Sequence, residues 1–378
     1  MGKRTVKSQK RSKMIFLIII VAAMISITGT YAWFSSQRDV EIVGFKINVE
    51  IAENLEISLD GETWTHSINI EDLRQFYGTY KDDDTATVAF QANKEDQRNY
   101  VPIELLPVST VGEVEDGNLV FVSGDVKENK LSNIVKCSEA DIVKGAAILT
   151  KEGNNDKHPY LAFDMYLRNL SNLKQPGERD LLQLKEGSFA TAANKNTGLE
   201  YSARIALVQY GNAINLISTV AQARSIEPNG SEVVSIWEPN YRLHTTEVVN
   251  NDERVSAVIE EVNTYAIKSS AVGQEIEDIT DSDDALLDAV YTNKMEQNED
   301  IENQDFATLT RTTLKQIAGE TDMSLEPNKI TKIRCYIWLE GQDPDCINLS
   351  SMGEELQVTL RLEKPKVEGA GTDNSYAY

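Results

Sequence analysis

Short runs of alternating apolar and polar residues recur along most of the chain. Between residues 40 and 50, for example, Phe45, Ile47 and Val49 alternate with polar neighbours. Alternation with a period of two places such side chains on one face of a β-strand. On this basis we predict strands at residues 40–50, 55–59, 84–92, 101–109, 118–123, 160–168, 200–210, 232–238, 262–269, 329–339 and 355–363.

Helical spacing is less common. Apolar residues three and four positions apart predict helices at residues 70–77, 212–224, 284–297 and 306–318. The last two fall in an acidic stretch, residues 240–328, which we interpret as a helix-prone insertion between strands or a small satellite subdomain.

Short strands spread from end to end and separated by polar turns indicate a mainly β protein, an antiparallel β-sandwich with helical insertions. Residues 33–363 form the predicted domain. Residues 364–378 are rich in polar residues and Gly, which predicts a flexible tail. The residues expected to be mainly buried in the sandwich are Phe45, Ile47, Leu105, Phe163, Leu167, Ile205, Trp237, Trp338 and Leu360.

The N-terminus differs from the rest of the chain in charge and hydropathy. Six Lys and Arg residues precede an uncharged run from Met14 to Phe34. In such a segment the cations stay in the cytoplasm and the apolar run enters the bilayer. About 20 apolar helical residues span a hydrocarbon core of about 30 Å. Residues 14–34 are therefore predicted to contact the membrane, and the following chain is predicted to be extracellular or at the cell surface.

Two fates of this segment are open. Thr30 and Ala32 occupy the −3 and −1 positions of a small-residue cleavage site. A signal peptidase would then cut between Ala32 and Trp33 and remove residues 1–32 as a signal peptide. The apolar run is, however, longer than the roughly 7–15 residues of a typical signal core. If it is not cleaved, it would hold the protein in the membrane as an N-terminal anchor.

The charge of the chain excludes one class of partner. Without the six N-terminal cations, 31 of the 37 Lys and Arg residues remain against 60 Asp and Glu residues, a formal charge of −29. Nucleic acid is not expected to bind, because its phosphates require a basic surface. The acidic runs at residues 82–84 and 281–284 would at most hold calcium weakly, and the alternative is that they are solvated loop charges. No other cofactor is predicted.

The residues that usually carry catalysis form no recognisable motif. The three histidines are far apart, and none lies in the His-Glu-x-x-His pattern of zinc peptidases. The nucleophile elbow, the phosphate-binding loop and the dinucleotide fingerprint are also missing from the sequence. We therefore predict that the protein is not an enzyme, that it has no catalytic residues and that it has no metal site.

Cysteines are sparse. Cys335 and Cys346 flank the turn-rich residues 341–345, so a hairpin would bring them together in a disulfide. The alternative is that both are free or buried thiols. Cys137 is left over in either case.

Four segments of the chain carry a resemblance to a known group of proteins. Thr30–Ser35 follows the basic head and apolar run, and Leu105–Thr110, Ser235–Asn240 and Tyr336–Cys346 lie within the domain. Together they resemble exported surface proteins of Gram-positive bacteria whose signals are processed by the SipW-type peptidase, the TasA and camelysin group. The resemblance implies a jelly-roll β-sandwich, cleavage near Ala32 and assembly into matrix fibres. The metallopeptidase activity associated with camelysin is not carried over, because the sequence has no zinc motif.

The sequence features and the resemblance suggest three functions. The leading hypothesis is a cell-surface or biofilm-matrix structural protein that self-associates into filaments. In that case the strand containing Phe45, Ile47 and Val49 would be donated to a sheet edge of a neighbouring molecule. The alternative for this strand is pairing within its own subunit. The second function is a monomeric adhesin that binds sugar or protein, and the third is a secreted hydrolase.

Overall fold

A computed structural model describes a large part of the chain. The described residues are 40–49, 54–77, 104–105, 107–127, 130–137, 157–171, 178–192, 199–211, 213–239, 243–249, 253–258, 267–277, 292–294, 312–313, 323–343, 346 and 354–364.

Strands dominate the described residues. They are β1 (Val40–Val49), β2 (Leu55–Ser58), β3 (Ser67–Asn69), β4 (Glu104–Leu105), β5 (Ser109–Glu115), β6 (Asn118–Lys127), β7 (Lys130–Cys137), β8 (Lys157–His158), β9 (Tyr160–Asn169), β10 (Asp180–Leu181), β11 (Gln183–Leu184), β12 (Phe189–Ala192), β13 (Ala203–Gln209), β14 (Ile214–Asn215), β15 (Val233–Glu238), β16 (Leu243–Val249), β17 (Glu253–Val258), β18 (Thr292–Lys294), β19 (Thr312–Thr313), β20 (Ser324–Leu325), β21 (Lys329–Leu339) and β22 (Glu354–Glu363). The helices are α1 (Ile70–Tyr77), α2 (Val220–Arg224) and two short 3-10 helices at Leu199–Tyr201 and Ser269–Ala271.

Two large sheets form the body of the protein. Sheet A has eight strands in the order β19-β11-β22-β1-β4-β8, with β12 paired to β22 and β3 paired to β1. Sheet B has seven strands in the order β18-β15-β13-β21-β9-β2, with β14 paired to β21. Most neighbours are antiparallel, but β1 runs parallel to β22. The mainly β, sandwich-like fold predicted from the alternating pattern is confirmed.

One large hydrophobic core lies between sheets A and B. Side chains of β1 and β22 meet those of β9, β13 and β21, and the rings of Phe45 and Phe163 pack edge-on with 5.3 Å between centroids. The nine residues predicted to be buried are all at most 2 % exposed. Eight of them belong to this core, and Trp338 lies on the other face of sheet B.

A third layer covers that other face of sheet B. Sheet C consists of β5, β6 and β7 and packs its Leu119 and Phe121 against sheet B. The opposite face of sheet C is covered in turn by residues 267–277, with Ile276 bonded through its backbone to Leu131. Sheet B is therefore a central layer, and its strand β13 is buried along its whole length.

The predicted helices are only partly confirmed. Helix α1 has the predicted bounds, whereas the helix expected at residues 212–224 is confined to Val220–Arg224. Thr219 caps it, with its hydroxyl accepting from Gln222 N, and β14 followed by a turn precedes the helix. The helices predicted at 284–297 and 306–318 are wrong where the structure describes them. The described part of the first is β18, which pairs with β15, and the described part of the second is β19, which pairs with β11. Long-range pairing overrides the weak local helix preference there.

The described parts of the 240–328 region are integrated into the layers. They add β18 to sheet B and β19 to sheet A, pair β20 with β10 and cover sheet C through residues 267–277. Strands β16 and β17 form a separate hairpin. The strand predicted at 84–92 and most of that predicted at 262–269 lie outside the described residues.

Candidate functional site

The face of sheet B beneath sheet C carries charged side chains on either side of aromatic ones. Along β21 the side chains alternate, and Ile333, Cys335 and Ile337 enter the main core. The alternate positions face sheet C or its margins and are also buried; they are Lys332, Arg334, Tyr336 and Trp338. A strand with both faces buried therefore keeps polar groups on one of them.

Four aromatic rings fill the centre of this interface. Phe121 of β6 stacks on Tyr160 of β9 with 4.3 Å between ring centroids. It also meets Trp338 edge-on at 5.3 Å and Tyr336 at 5.7 Å. Aromatic pairs at these spacings add about 0.5–1.5 kcal/mol beyond the area they bury. This cluster attaches sheet C to sheet B.

An ionic network centred on Arg204 lies at one end of the aromatic cluster. Arg204 Nη2 donates to Asp343 Oδ2 at 2.9 Å and lies 2.8 Å from Glu238 Oε1. Arg204 Nη1 donates to the carbonyls of Tyr201 and Ala203. The three charged side chains are at most 1 % exposed. Although burial opposes the charge, the neighbouring carboxylates of Glu238, Asp343 and nearby Glu340 raise the pKa of Arg204 above its usual value.

Glu340 extends this network to sheet C. Its Oε1 accepts from the Ser109 hydroxyl and from Gln342 N, and its Oε2 accepts from Trp338 Nε1 at 3.3 Å. Burial raises the pKa of Glu340 to about 7, although Arg204 and the hydrogen bonds oppose the rise. The same junction is held by backbone bonds of Val108 to Leu339 and Gly341. The first strand of sheet C is therefore fixed to the end of β21.

A second ionic network lies at the other end of the aromatic cluster. Asp164 Oδ1 accepts from Arg334 Nη1 at 3.0 Å, and its Oδ2 lies 3.1 Å from Lys332 Nζ. Arg334 Nε also donates to the hydroxyl of Tyr336. Lys332 Nζ donates to the carbonyl of Ile226. Charged groups buried in this way need partners in fixed positions, so both networks constrain how the strands and layers fit together.

The chemistry of these networks is restricted by their burial. Their charged side chains are at most 6 % exposed, so a dissolved substrate would not reach them without separation of sheets B and C. The charged side chains of both networks already form hydrogen bonds and ion pairs with other groups of the protein. The arrangement is therefore suited to joining layers rather than to binding a substrate.

Glu340 makes stability depend on pH. Its pKa is raised from the usual 4.5 to about 7, so its contribution to stability is present below about pH 4.5 and is lost as pH rises through 7. A difference of one pKa unit corresponds to about 1.4 kcal/mol. As pH rises from 4.5 to 8, we therefore expect the free energy of unfolding of Glu340→Gln to increase relative to that of wild type by up to about 3 kcal/mol. Urea unfolding across this range measures the difference. Glu115→Gln, at an exposed ion pair with Lys136, is the control. An equal pH dependence in Glu340→Gln and wild type would contradict the expectation.

A small cavity of about 230 Å³ lies where β13 ends. Gln209 lines it and donates from Nε2 to the carbonyl of Ser324 at 2.7 Å, while its buried Oε1 has no partner within the described part of the chain. Arg179 and Glu326, which also line the cavity, form an ion pair at 2.7 Å. The cavity is thus lined by the Gln209 acceptor and by side chains of both signs of charge.

The strand proposed for assembly is paired within its own chain. β1 runs beside β22 on one side and beside β3 and β4 on the other, and Phe45, Ile47 and Val49 are at most 5 % exposed. Donation of this strand to a neighbour would break these pairings and remove three side chains from the main core. The structure therefore supports the alternative, pairing within the subunit.

The disulfide predicted between Cys335 and Cys346 is not present, and the alternative of free thiols holds. Cys335 and Cys346 are buried, and no disulfide involves any of the three cysteines, all of which are described. Cys335 lies five residues before Glu340, which is roughly 16 Å of strand at about 3.3 Å per residue. Cys346 remains beside the turn, where its N–H donates to the carbonyl of Asp343. Because β21 ends without a returning partner among the described residues, the expected hairpin does not bring the thiols together.

Several predicted features lie outside the described residues. They include the cleavage site at Ala32 and Trp33, the apolar residues 14–34 and the acidic runs 82–84 and 281–284. Within the part that the structure describes, no helix combines the length and apolar character needed to cross a bilayer. That part also contains no cluster of three or more His, Cys, Asp or Glu side chains arranged to hold a metal ion.

The fold and the buried networks define a class: a mainly β protein of stacked sheets whose charged and aromatic side chains join the layers. Comparison of the chain with known protein families, curated proteins and solved structures finds no match.

Proposed function

We propose that the protein is an exported structural component of the cell surface or of an extracellular matrix and that it has no catalytic role. The observation that carries the proposal is the use of buried charges and aromatic rings where sheet C packs on sheet B. Around Arg204, Glu340 and Asp164, polar groups are used for internal cohesion. A protein that bears load outside the cell benefits from such cohesion more than from an open cleft.

The N-terminal sequence and the net charge support the location. A basic head and an apolar run precede the domain, and the remaining chain has a formal charge of −29 after subtraction of six cations. Self-repulsion at this charge keeps molecules apart, and calcium or low pH would relieve it. Self-association into filaments is therefore expected under those conditions. Because β1 is paired within its own chain, we expect filament contacts to use a surface other than that strand.

The extracellular form is expected to begin at Trp33 and to assemble into filaments. N-terminal sequencing identifies the cleavage site. Negative-stain microscopy at pH 5 with millimolar calcium then compares the processed protein with the same sample at pH 8 without calcium. An intact Met1 found only in membrane fractions would show an anchor instead. Dispersed particles under both conditions would contradict the filament hypothesis.

The second candidate is a monomeric adhesin that binds sugar or protein. The cavity at the end of β13 favours it, because Gln209 Oε1 is a buried acceptor that requires a donor from water or a ligand. Dispersed particles together with glycan-array binding that is lost in Gln209→Leu would favour this candidate over the structural one.

A further inference from the structure

A lysine, an asparagine and an aspartate meet where the ends of two strands from different sheets come together. Asn169 is the last residue of β9 in sheet B. Lys364 directly follows β22, which ends at Glu363 in sheet A. Asp180 begins the short strand β10. The contact between Lys364 and Asn169 thus connects the two large sheets and joins residues that are 195 positions apart.

The three side chains form a closed set of contacts. Lys364 Nζ donates to Asn169 Oδ1 at 2.9 Å, and Asn169 Nδ2 donates to Asp180 Oδ2 at 2.8 Å. The same Asp180 oxygen lies 3.6 Å from Lys364 Nζ. Asn169 is 1 % exposed and Lys364 is 8 % exposed. The amine and the amide are therefore held together with little access to water, and the Asp180 side chain beside them is 17 % exposed.

Backbone groups fix the orientation of the amide. Asn169 Nδ2 also donates to the carbonyl of Glu326 at 3.2 Å, and its Oδ1 also accepts from Ser171 N at 3.2 Å. A carbonyl can only accept and an N–H can only donate, so these contacts distinguish the amide oxygen from the nitrogen. The Ser171 N–H also points to the oxygen on which negative charge would develop during attack on the amide carbon, as in an oxyanion hole.

The distance between the reacting atoms is short. A hydrogen bond along the carbonyl lone-pair direction, with a C=O bond of about 1.23 Å, puts Nζ roughly 3.5–4 Å from Asn169 Cγ. Reactive contacts in preorganised sites are about 3–3.5 Å, and holding two groups at this separation replaces a bimolecular encounter. A nucleophile approaches an amide carbon from above the amide plane, so the lysine side chain must leave its hydrogen-bonding position and move over Cγ before the bond can form.

We propose that Lys364 and Asn169 become joined by an intramolecular amide bond, with Asp180 as the proton carrier. Asp180 accepts a proton from the lysine ammonium, and the neutral Nζ attacks Asn169 Cγ to form the new C–N bond. The carbonyl electron pair moves to Oδ1 and returns as the bond from Cγ to Nδ2 breaks. Both protons lost by Nζ pass through Asp180 to Nδ2, which leaves as ammonium. Atoms and charge balance without an oxidant or a cofactor.

The bond would tie sheet A to sheet B covalently. It would close a loop of 195 residues and so restrict the unfolded chain, as a disulfide does. Unlike a disulfide, an amide is not broken by reductants. None of the three cysteines forms a disulfide, and the amide bond would cross-link the two sheets without using a cysteine.

A second lysine–asparagine pair in the same chain is a matched control. Lys329 Nζ donates to Asn215 Oδ1 at 2.7 Å, between β21 and β14, but this contact is exposed. The contact is open to water and has no fixed proton path among the described residues, so no amide bond is expected there. Lys329→Arg should therefore leave the proposed cross-link unchanged.

Intact-mass spectrometry of the purified, denatured full chain tests the proposal. We expect a mass about 17 Da below that of the unmodified chain, the loss of one ammonia, with N-terminal processing determined on the same sample. Tryptic digestion should give a branched peptide that joins the segments containing Asn169 and Lys364. Lys364→Arg and Asp180→Asn should each restore the full mass and remove the branched peptide, whereas Lys329→Arg should retain both signals.

The branched peptide is decisive, because cyclisation of an asparagine to a succinimide also releases ammonia. An unmodified mass in the wild-type protein overturns the proposal, and this result does not depend on the folding of any variant. A mass loss without the branched peptide, or one that persists in Lys364→Arg, also overturns it. Retention of the cross-link in Asp180→Asn would overturn the role of Asp180.

Discussion

Replacement of Arg204 by methionine is expected to lower the free energy of unfolding by about 3–5 kcal/mol, the usual cost of removing one partner from a buried ion pair. Arg204 contacts Glu238 and Asp343, and all three side chains are at most 1 % exposed. Methionine keeps much of the side-chain length but leaves the carboxylates without their cation. The variant also removes the donors that Arg204 supplies to two backbone carbonyls.

Urea unfolding monitored by circular dichroism measures this change. Arg179→Met is the matched control, because Arg179 pairs with Glu326 at the surface and the two side chains are 48 % and 34 % exposed. Exposed pairs contribute about 0–1 kcal/mol. Adding Asp343→Asn to Arg204→Met should recover part of the loss, since one uncompensated carboxylate is then removed. A cost for Arg204→Met no greater than that of Arg179→Met would show that the network contributes little.

Trp338→Ala is the second change with a large expected effect, a loss of about 3–5 kcal/mol typical of large-to-small substitutions in a core. Trp338 is fully buried and packs edge-on against Phe121, so its removal leaves a cavity where sheet C meets sheet B. Its Nε1 also donates to Glu340. The variant therefore combines lost packing with a lost donor to a buried carboxyl group.

Two further variants separate these contributions. Trp338→Phe retains most of the packing and removes the N–H, so it should cost less than Trp338→Ala. Trp64→Ala tests a tryptophan outside the main core. Its ring is half-buried, and Arg168 Cζ lies 4.4 Å from the ring centroid. Thermal and urea unfolding rank the three proteins. If Trp338→Ala is no more destabilising than Trp64→Ala, the aromatic cluster does not hold sheet C in place.

Alternation along the chain was sufficient to predict the strands with a clear apolar face. The predicted strand at 329–339 has the same bounds as β21, and those at 160–168 and 355–363 differ from β9 and β22 by one residue at an end. Side chains of a strand point alternately to its two faces, so a periodic pattern identifies a strand before its partners are known. The same reasoning identified Phe163 and Leu360 as buried.

The polar residues of β21 show where this reasoning ends. Lys332 and Arg334 alternate with Ile333 and Cys335, a pattern equally expected for a strand with one face in water. They are buried because sheet C, Ile226 and Asp164 cover or pair with them. The only signal in the sequence was charge within a strand that also carries Tyr336 and Trp338, and it does not reveal the partner.

The sequence by itself therefore determined that this protein is mainly β and which side chains of many strands share a face. It also determined the charge of the chain and the character of its N-terminus. Only the tertiary structure decided that β1 pairs within its own chain, that Cys335 and Cys346 are not joined and that Lys364 meets Asn169. The physical reason is that alternation is a local property of a strand. The partner on each edge and the layer over each face depend on contacts between residues far apart in sequence, such as Ser109 and Glu340, which are 231 positions apart.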